Sequence, residues 1–277
     1  RHRIYLRRFV EKLPPPWTKD PVLQRYRFCN IDRELDTVTI WIRQHIREPY
    51  AKHPNLWFML AVARQINLPG TLQELMDRGA WPTERWYPRK ARAIMQARKA
   101  RGETLYTNAY MLNAHGRGPE DPADKAFFTC YLVLSQLWND REKGMLKALK
   151  ENSLQAAAEA FLPYHGWGPF TAAQVVADLK HTRYLNKAAD WWDWATLGPG
   201  SNRGLNRVLG RCVDDRFSGK EAIQHLKKIR DYIKANSDLP RLCLQNTQNS
   251  LCEFDKYERA RLDEGRPKEL FTSGKVV

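Results

Sequence analysis

The stretch that decides the fold is Leu162-Pro163-Tyr164-His165-Gly166-Trp167-Gly168-Pro169-Phe170-Thr171-Ala172. Two glycines flank one tryptophan in it, and apolar residues at helical spacing lie on both sides. Glycine has no Cβ, so the backbone can turn tightly and come close to a bound group. The N–H groups at the start of the following helix favour an anion such as a phosphate. The stretch therefore predicts two helices joined by a tight, anion-binding turn, with Trp167 anchoring the turn in the core.

The sequence predicts that the first helix ends at Leu162 and that Thr171 caps or opens the second, which places the hairpin at 162–180. The pattern resembles the helix-hairpin-helix of DNA repair glycosylases, although Tyr164 and His165 replace the single residue usual before the first glycine. The resemblance implies a mainly α, glycosylase-like fold with helical lobes around a DNA-binding cleft. The alternative is an ordinary glycine turn between two helices. The hairpin residues assigned to the DNA backbone are Gly166, Trp167, Gly168 and Thr171.

Helical spacing continues along the rest of the chain, and no run alternates at period two over several strands. The helices predicted outside the hairpin span residues 21–46, 55–66, 88–101, 125–139, 142–150, 204–211 and 219–236, with a short one from Thr71. Residues 237–277 show less regular spacing, and the prolines of 1–20 make that segment a basic arm. We therefore predict an arm at 1–20 and a single mainly helical catalytic domain at 21–277.

The composition points to a folded, basic protein. The 277 residues include 46 Lys+Arg and 31 Asp+Glu, a formal charge of +15, and 43% are hydrophobic, which excludes a disordered chain. Nucleic acid is the expected partner of such a surplus, and Arg89 and Lys90 in the basic helix are expected to bind DNA. An anionic membrane, an anionic small substrate and a generically basic surface are the alternatives. The apolar stretch 56–63 is far shorter than the ~20 residues of a membrane span.

Cysteine and histidine usage predicts no cofactor and no metal held by these side chains. The five cysteines are odd in number and widely spread, so they form neither a disulfide framework nor a zinc pair. The histidines show no metal-ligand spacing. No charged-then-apolar leader is present, so we expect a reduced, cytoplasmic protein.

A second unusual stretch spans residues 190–207. Three tryptophans at 191–194 beside Asp190 and Asp193 supply stacking faces for bases. The turn Gly198-Pro199-Gly200-Ser201 leads into a helix on which Arg203, Arg207 and Arg211 share one stripe. Such a turn with arginines can cradle a phosphate or pyrophosphate. The alternative is a buried tryptophan cluster beside a solvated arginine face.

Three co-linear strings resemble the α-glutamyl/putrescinyl thymine pyrophosphorylases of phages and bacteria, also called amino acid:DNA transferases. They are the string at 190–207, Arg27-Phe28-Cys29-Asn30-Ile31-Asp32-Arg33-Glu34-Leu35-Asp36-Thr37, and Gln248-Asn249-Ser250-Leu251-Cys252-Glu253-Phe254-Asp255-Lys256-Tyr257. A weaker match lies at 107–111, and together the matches cover about residues 25–265. The family is thought to share the glycosylase-like helical fold, which agrees with the hairpin.

The resemblance implies a transferase that displaces pyrophosphate from 5-(pyrophosphoryloxymethyl)uracil in double-stranded DNA with an amine. The amine is an amino acid such as glycine or glutamate, or putrescine. The base must leave the stack to react, and Asp190, then Asp193, are the candidate proton acceptors. The expected location is the cytoplasm of an infected host cell. The residues assigned to the pyrophosphate are Gly198, Gly200, Ser201, Arg203 and Arg207. The sequence leaves open a divalent ion that accompanies the pyrophosphate.

A substrate pocket is expected from the other two strings. Asn30, Arg33 and Asp36 are predicted to share one helix face, and Arg33 would hold the carboxylate of an amino acid. The alternative for Arg33 and Asp36 is a structural salt bridge. Glu253 or Asp255 would hold the second amine of putrescine. The remaining pocket residues are Trp191, Gln248, Asn249 and Lys256.

Two other functions compete with the transferase. One is a monofunctional DNA glycosylase in which Asp190 assists departure of the base. A strand-cutting lyase is disfavoured, because Phe170 stands where the resemblance places a lysine. The other is a DNA-binding module without catalysis. The Gly198–Arg207 turn and stripe favour the transferase, since a glycosylase has no pyrophosphate to hold.

Overall fold

The computed structural model describes residues 2–107, 124–237, 239, 242–265, 267 and 270–271. The described part contains fourteen α-helices and no β-strand, apart from one isolated antiparallel bridge between Tyr26 and Leu270. The prediction of a mainly α protein is therefore confirmed. No helix in the described residues is long and apolar enough to cross a membrane. Most of the weaker motif match at 107–111 lies outside the described residues.

The chain divides into two compact units. The central unit comprises Val38–Trp191, and the terminal unit comprises Arg1–Thr37 with Trp192–Val277. The division into an arm at 1–20 and a single domain at 21–277 remains a prediction from the sequence. Within the arm, a short helix at His2–Tyr5 continues into a π-helical turn at Leu6–Val10, and the three prolines follow outside any helix.

The central unit is built around a helix that is buried along its whole length, α4 (Leu56–Ile66). Its other helices are α3 (Thr37–Ile42), α5 (Pro69–Asp77), α6 (Pro88–Ala100), α7 (Lys125–Phe127), α8 (Ser135–Asn139), α9 (Met145–Leu149), α10 (Leu154–Glu159) and α11 (Pro169–Leu179). π-helical turns lie at Arg43–Arg47 and Phe128–Leu134. The side chain of Asn55, just before α4, makes no capping hydrogen bond and donates to the carbonyl of Thr83 (2.9 Å), which ties two loops together.

A buried ion pair joins α4 to α11. Arg64 donates through Nε and one terminal nitrogen to the two carboxylate oxygens of Asp178, at 2.5 and 3.0 Å. Arg64 also donates to the hydroxyl of Thr39 (3.0 Å), and Arg47 approaches Asp178 at 3.8 Å. Both charges are buried, so each needs its partner to offset the loss of water. The pair fixes the position of α11 against α4.

The segment of the predicted hairpin contains a turn and the whole of α11, and α10 lies just before it. α10 ends at Glu159, before the expected Leu162, and α11 begins at Pro169 with Gly168 as its N-cap. Thr171 therefore lies inside the first turn and does not cap the helix, because Pro169 already fits the first helical position. Trp167 is buried as predicted.

The turn between α10 and α11 depends on Gly166. Its φ is +79°, and a Cβ there would overlap the side chain of Val133. Tyr164 donates to the carboxylate of Asp140 at 2.6 Å, and burial raises the pKa of Tyr164 to about 12. His165 packs edge-on against Phe128. The extra residue before the first glycine is therefore used in packing the turn.

The terminal unit consists of α1 (His2–Tyr5), α2 (Pro21–Arg25), α12 (Pro199–Leu209), α13 (Gly219–Ala235) and α14 (Leu244–Arg261). α14 lies in the segment expected to be irregular, and that expectation was wrong. The helical pattern of apolar residues is weak in α14, because polar side chains such as Gln245 and Thr247 occupy buried positions that are usually apolar. The arginine-bearing helix also starts five residues earlier than predicted, at Pro199 instead of 204.

α12 and α14 pack closely because glycines face the contact. A Cβ on Gly204 would overlap the carbonyl oxygen of Leu251, and one on Gly200 would lie 2.6 Å from the Sγ of Cys252. Burial raises the pKa of the Cys252 thiol to about 11, so this thiol is neutral at physiological pH. Small residues at both positions let the two backbones approach.

The expected helix at 21–46 is broken into shorter pieces. α2 is capped by the side chain of Asp20, which accepts from the N–H of Leu23 at 2.9 Å. A single 3₁₀ turn follows at Arg33–Leu35 before α3 begins. Asn30 lies in irregular backbone, so the prediction that Asn30, Arg33 and Asp36 share a helix face was wrong.

Candidate functional site

The three motif strings meet in the terminal unit, where α14 carries one of them. α14 packs against α12, which carries the second string. Asn249 on α14 donates to the carbonyl of Asn30 at 3.3 Å, and Glu253 accepts from the N–H of Cys29 at 2.8 Å. Those two partners belong to the third string, more than 200 positions earlier in the chain. The site is therefore assembled by tertiary contacts from distant parts of the sequence.

A buried carboxylate organises the arginines of this site. The side chain of Asp255 is 1% exposed, and its Oδ1 accepts from the Nε of Arg207 at 3.0 Å. Arg203 approaches the same oxygen at 3.4 Å, and Arg259 donates to the other oxygen at 3.1 Å. Two further carboxylates complete the cluster, since Asp214 pairs with Arg203 and Glu264 pairs with Arg207. Asp255 is thus held by arginines, and its predicted contact with putrescine stays a prediction.

The predicted stripe of three arginines divides into two parts. Arg203 and Arg207 hold Asp255, whereas Arg211 pairs with Glu221 (3.2 Å) and Asp215 (3.6 Å). The structure brings together the first two and gives the third a different set of partners.

Of the two arginines that α12 directs to Asp255, Arg203 is the more accessible. Its side chain is 29% exposed and pairs with the surface carboxylate of Asp214 at 2.7 Å, whereas Arg207 is 10% exposed. The hydrogen bond from Arg207 to Glu264 raises the pKa of that guanidinium above its usual value. The partner of Arg203 is thus a carboxylate at the surface, since Asp214 is 76% exposed.

The side chain of Ser201 forms hydrogen bonds with the backbone of the turn before α12. The Oγ of Ser201 accepts from the N–H of Gly198 at 2.9 Å and donates to the Gly198 carbonyl at 3.0 Å. Ser201 is fully buried, and Gly200 faces Cys252. Gly198, Gly200 and Ser201 therefore shape the start of α12. The helix dipole gives this end of α12 a positive potential, and Arg203 lies near it.

The loop that carries Asn30 is held by Asp36. The Oδ1 of Asp36 accepts from the backbone N–H of Asn30 at 2.9 Å and from its Nδ2 at 3.3 Å. The Nδ2 also donates to the carbonyl of Leu35 at 2.9 Å. Arg33 lies in the 3₁₀ turn inside this loop and is half-buried. The two polar residues therefore close a loop around Arg33.

Lys256 and Glu253 form the other edge of the site on α14. The Nζ of Lys256 lies 3.2 Å from Glu253 and 4.8 Å from the centre of the Phe28 ring. Gln248, which directly precedes Asn249 on α14, is half-buried. These contacts place the string at 248–257 against the string at 27–37.

Asp190 and Asp193, the two candidate proton acceptors, both accept hydrogen bonds from other residues. Asp190 accepts from the hydroxyl of Ser153 (2.9 Å) and from the N–H groups of Leu154 (2.8 Å) and Gln155 (3.0 Å). It therefore caps the start of α10 in the central unit, a structural use that its spacing in the sequence does not reveal.

Asp193 belongs to the terminal unit and pairs with α13. Arg230 donates to its Oδ1 at 2.5 Å, and Lys227 lies at 3.8 Å. The hydrogen bond from Arg230 lowers the pKa of Asp193 below its usual value of 3.8. A carboxylate held in this way is ionised and is a weak base at neutral pH.

The tryptophans of the motif differ in their surroundings. Trp191 donates to the carbonyl of Lys180 at 2.8 Å, and the Nζ of Lys180 lies 3.8 Å from the Trp191 ring centre. Trp191 therefore packs within the central unit against a buried lysine. Trp192 follows in the terminal unit with 43% of its surface exposed.

The residues predicted to bind DNA are placed on the central unit. Arg89 and Lys90 are exposed on α6. Gly168 faces open space, and Thr171 is half-buried. Their roles stay predictions.

Some residues of the site were missed by sequence reasoning. Arg259 completes the cluster around Asp255, and its i+4 spacing from Asp255 was a signal that could have found it. Arg230 offers no such signal, because its partner Asp193 lies 37 positions away. No group of three or more metal-ligating side chains occurs in the part of the chain that is described.

The family model for the helical domain of 5-hmdU DNA kinases matches residues 1–266, and the chain belongs to this family. A curated relative is the 5-hmdU DNA kinase of Bacillus phage SP10, which is 27% identical over 224 residues. The match covers 76% of this chain and 34% of the relative, so the chain spans about a third of that relative's length. No solved structure matches the chain.

Proposed function

We propose that this chain acts on an activated 5-hydroxymethyluracil base in phage DNA and exchanges its pyrophosphate for an amine. The observation that carries the proposal is the meeting of the three motif strings at α14, around the arginine cluster of Asp255. The kinase family supports the same modified base, because the relative's name states that it acts on 5-hmdU in DNA.

The reaction replaces a C–O bond by a C–N bond. The bond between the C5-methylene carbon and the pyrophosphate oxygen breaks, and its electron pair stays on the leaving oxygen. The amine nitrogen forms the new bond to carbon and then loses one proton. The protein must therefore expose the base, stabilise the leaving anion and accept a proton.

Arg203 is the proposed contact of the leaving pyrophosphate. It combines partial exposure with a position one turn into α12, where the helix dipole also favours an anion. Arg207 and Arg259 hold Asp255, and Asp255 in turn limits the orientations of Arg203. Prepositioned cations stabilise charge that develops on a leaving group without reorganising during the reaction.

The proposed proton acceptors stay Asp190 and Asp193, and the structure defines what each must release. Asp190 would have to give up the Ser153 hydroxyl, and Asp193 would have to give up Arg230. Arg33 is the proposed contact for the carboxylate of an amino acid, and Glu253 for the second amine of putrescine. Both lie on the edges of the site that α14 joins.

The deciding experiment incubates the protein with duplex DNA containing the pyrophosphorylated base and with glycine, glutamate or putrescine. Mass spectrometry of the nucleosides should show the amine adduct, and a pyrophosphate assay should show equimolar release. Arg203→Ala should weaken binding of activated DNA more than binding of unmodified DNA. Arg216→Ala removes an exposed arginine nearby and serves as the matched control. Unchanged nucleosides with every amine would refute the transferase.

Phosphoryl transfer to 5-hydroxymethyluracil is the second candidate, because the relative's name is that of a kinase. The same DNA without the pyrophosphate, incubated with labelled ATP, distinguishes the two. Label in the nucleoside would favour the kinase. Abasic sites in either reaction would instead favour a glycosylase.

A further inference from the structure

The outer surface of α13 carries a cationic stripe beside an exposed tryptophan. Lys227, Arg230 and Lys234 follow one another at offsets of three and four, so they share one face of the helix. The Nζ of Lys234 lies 5.5 Å from the ring centre of Trp192. None of these four residues belongs to the arginine cluster of Asp255, although Lys227 and Arg230 also contact Asp193.

The backbone of Trp192 is fixed although its ring is exposed. Its carbonyl accepts from the N–H of Leu244 at 2.9 Å and from the Nη1 of Arg230 at 3.1 Å. The residue is thus held at the start of α14 and at the middle of α13, while 43% of it faces solvent. A large aromatic side chain held at the surface by its own backbone provides a preformed stacking face.

The charge of this surface remains positive after its own ion pairs are formed. Asp193 is taken up by Arg230, and Asp231 pairs with the same arginine at 2.9 Å. The side chain of Lys227 is 44% exposed and Lys234 is exposed as well. The two lysines are seven residues apart, which is about 10 Å along a helix, or roughly three phosphate steps of a stacked strand.

We propose that Trp192, Lys227 and Lys234 form a binding surface for a single DNA strand, in which a base stacks on Trp192 and the lysines contact phosphates. Exposed aromatic rings flanked by cations are the elements from which proteins build such surfaces. The inference deepens the proposed function and rests on it, since both take DNA as the substrate. It adds a surface that binds one strand of that DNA.

The test measures the affinity of the full chain for a fluorescent single-stranded oligonucleotide of unmodified bases by anisotropy. Trp192→Ala should weaken binding roughly five- to a hundred-fold, which is the usual cost of losing one stacking ring. Trp192→Phe should retain most of the affinity, and Trp192→Leu should not, because only phenylalanine keeps a π-face. Lys234→Ala should reduce the slope of log affinity against log salt by about 0.7.

Matched controls are Leu262→Ala, which removes an exposed apolar side chain elsewhere in the terminal unit, and Lys150→Ala, which removes an exposed lysine of the central unit. Both should bind the oligonucleotide like the parent. Equal affinity of the parent, Trp192→Leu and Lys234→Ala proteins would overturn the proposal. Because the oligonucleotide is unmodified, this outcome is independent of whether amine transfer occurs.

Discussion

Arg207 donates to the buried carboxylate of Asp255 at 3.0 Å, which joins α12 to α14 across 48 positions of the sequence. Arg203 and Arg259 contact the same carboxylate, so three arginines compensate its buried negative charge. Asp255 therefore contributes both to the packing of α12 against α14 and to the orientation of Arg203.

Asp255→Asn should lower the free energy of unfolding by about 1–3 kcal/mol, because it weakens the buried acceptor of Arg207, which keeps its second carboxylate, Glu264. Urea denaturation followed by circular dichroism measures the change. Glu142→Gln, which removes an exposed carboxylate 3.8 Å from Arg141, should change the stability by less than about 0.5 kcal/mol. Equal stability of the Asp255→Asn and parent proteins would show that the cluster does not hold the helices.

Gly204→Ala should separate α12 from α14, since the added Cβ would overlap the carbonyl oxygen of Leu251. The backbone cannot give way as a flexible side chain would, so we expect a loss of stability of about 1–3 kcal/mol. Thermal unfolding measures it. Gly219→Ala is the control, because a Cβ at the start of α13 meets open space. A Gly204→Ala protein as stable as the control would contradict the close packing.

Gly166→Ala and Gly168→Ala form a matched pair in the hairpin. Gly166 has a positive φ and no space for a Cβ beside Val133, so its substitution should destabilise the central unit by about 1–3 kcal/mol. Gly168 has an ordinary φ and open space around it, so the Gly168→Ala protein should fold like the parent.

The same pair separates folding from DNA binding. If the hairpin holds a DNA backbone, Gly168→Ala should weaken duplex binding in an electrophoretic shift assay while its melting temperature is unchanged. The new methyl group would occupy the space through which a phosphate approaches. Unchanged duplex affinity would remove Gly168 from the proposed DNA contacts.

Asp190→Asn should cost about 1 kcal/mol of stability, because it removes a charged acceptor from the start of α10. Ser153→Ala, which removes one of its donors, should cost a similar amount. Unfolding measurements test this capping role, and the nucleoside assay tests the proposed proton transfer. Loss of transfer in a folded Asp190→Asn protein, with transfer kept in Ser153→Ala, is the result expected of a proton acceptor.

The ion pair of Asp193 predicts a pH dependence of stability. Its pKa is lower in the folded protein than in the unfolded chain, since Arg230 donates to the ionised carboxylate. The stabilisation is therefore complete above the unfolded value near 3.8 and is lost as the pH falls through the folded value. Thermal unfolding between about pH 6 and pH 2 should show a smaller decrease for Asp193→Asn than for the parent. Parallel curves for the two proteins would disprove this role.

Local sequence patterns predicted those parts of the fold that depend on nearby residues. The burial of α4 follows from its apolar run, and the turn at Gly166 and Gly168 follows from glycines between helical segments. α14 was not predicted, because its buried side chains include polar ones whose partners lie elsewhere in the chain. The break near Asn30 was missed for the same reason, since Asp36 satisfies the loop backbone in place of a helix.

By itself, the sequence determined the helical class, the basic surplus and the three strings that belong together. Helix periodicity and composition are local properties, and a short window of residues is enough to express them. Only the tertiary structure decided that Asn249 and Glu253 reach the loop at Cys29–Asn30, that Arg203 faces solvent more than Arg207, and that Asp190 caps a helix. These contacts depend on how closely helices approach one another, and that distance is set by packing between residues far apart in the chain.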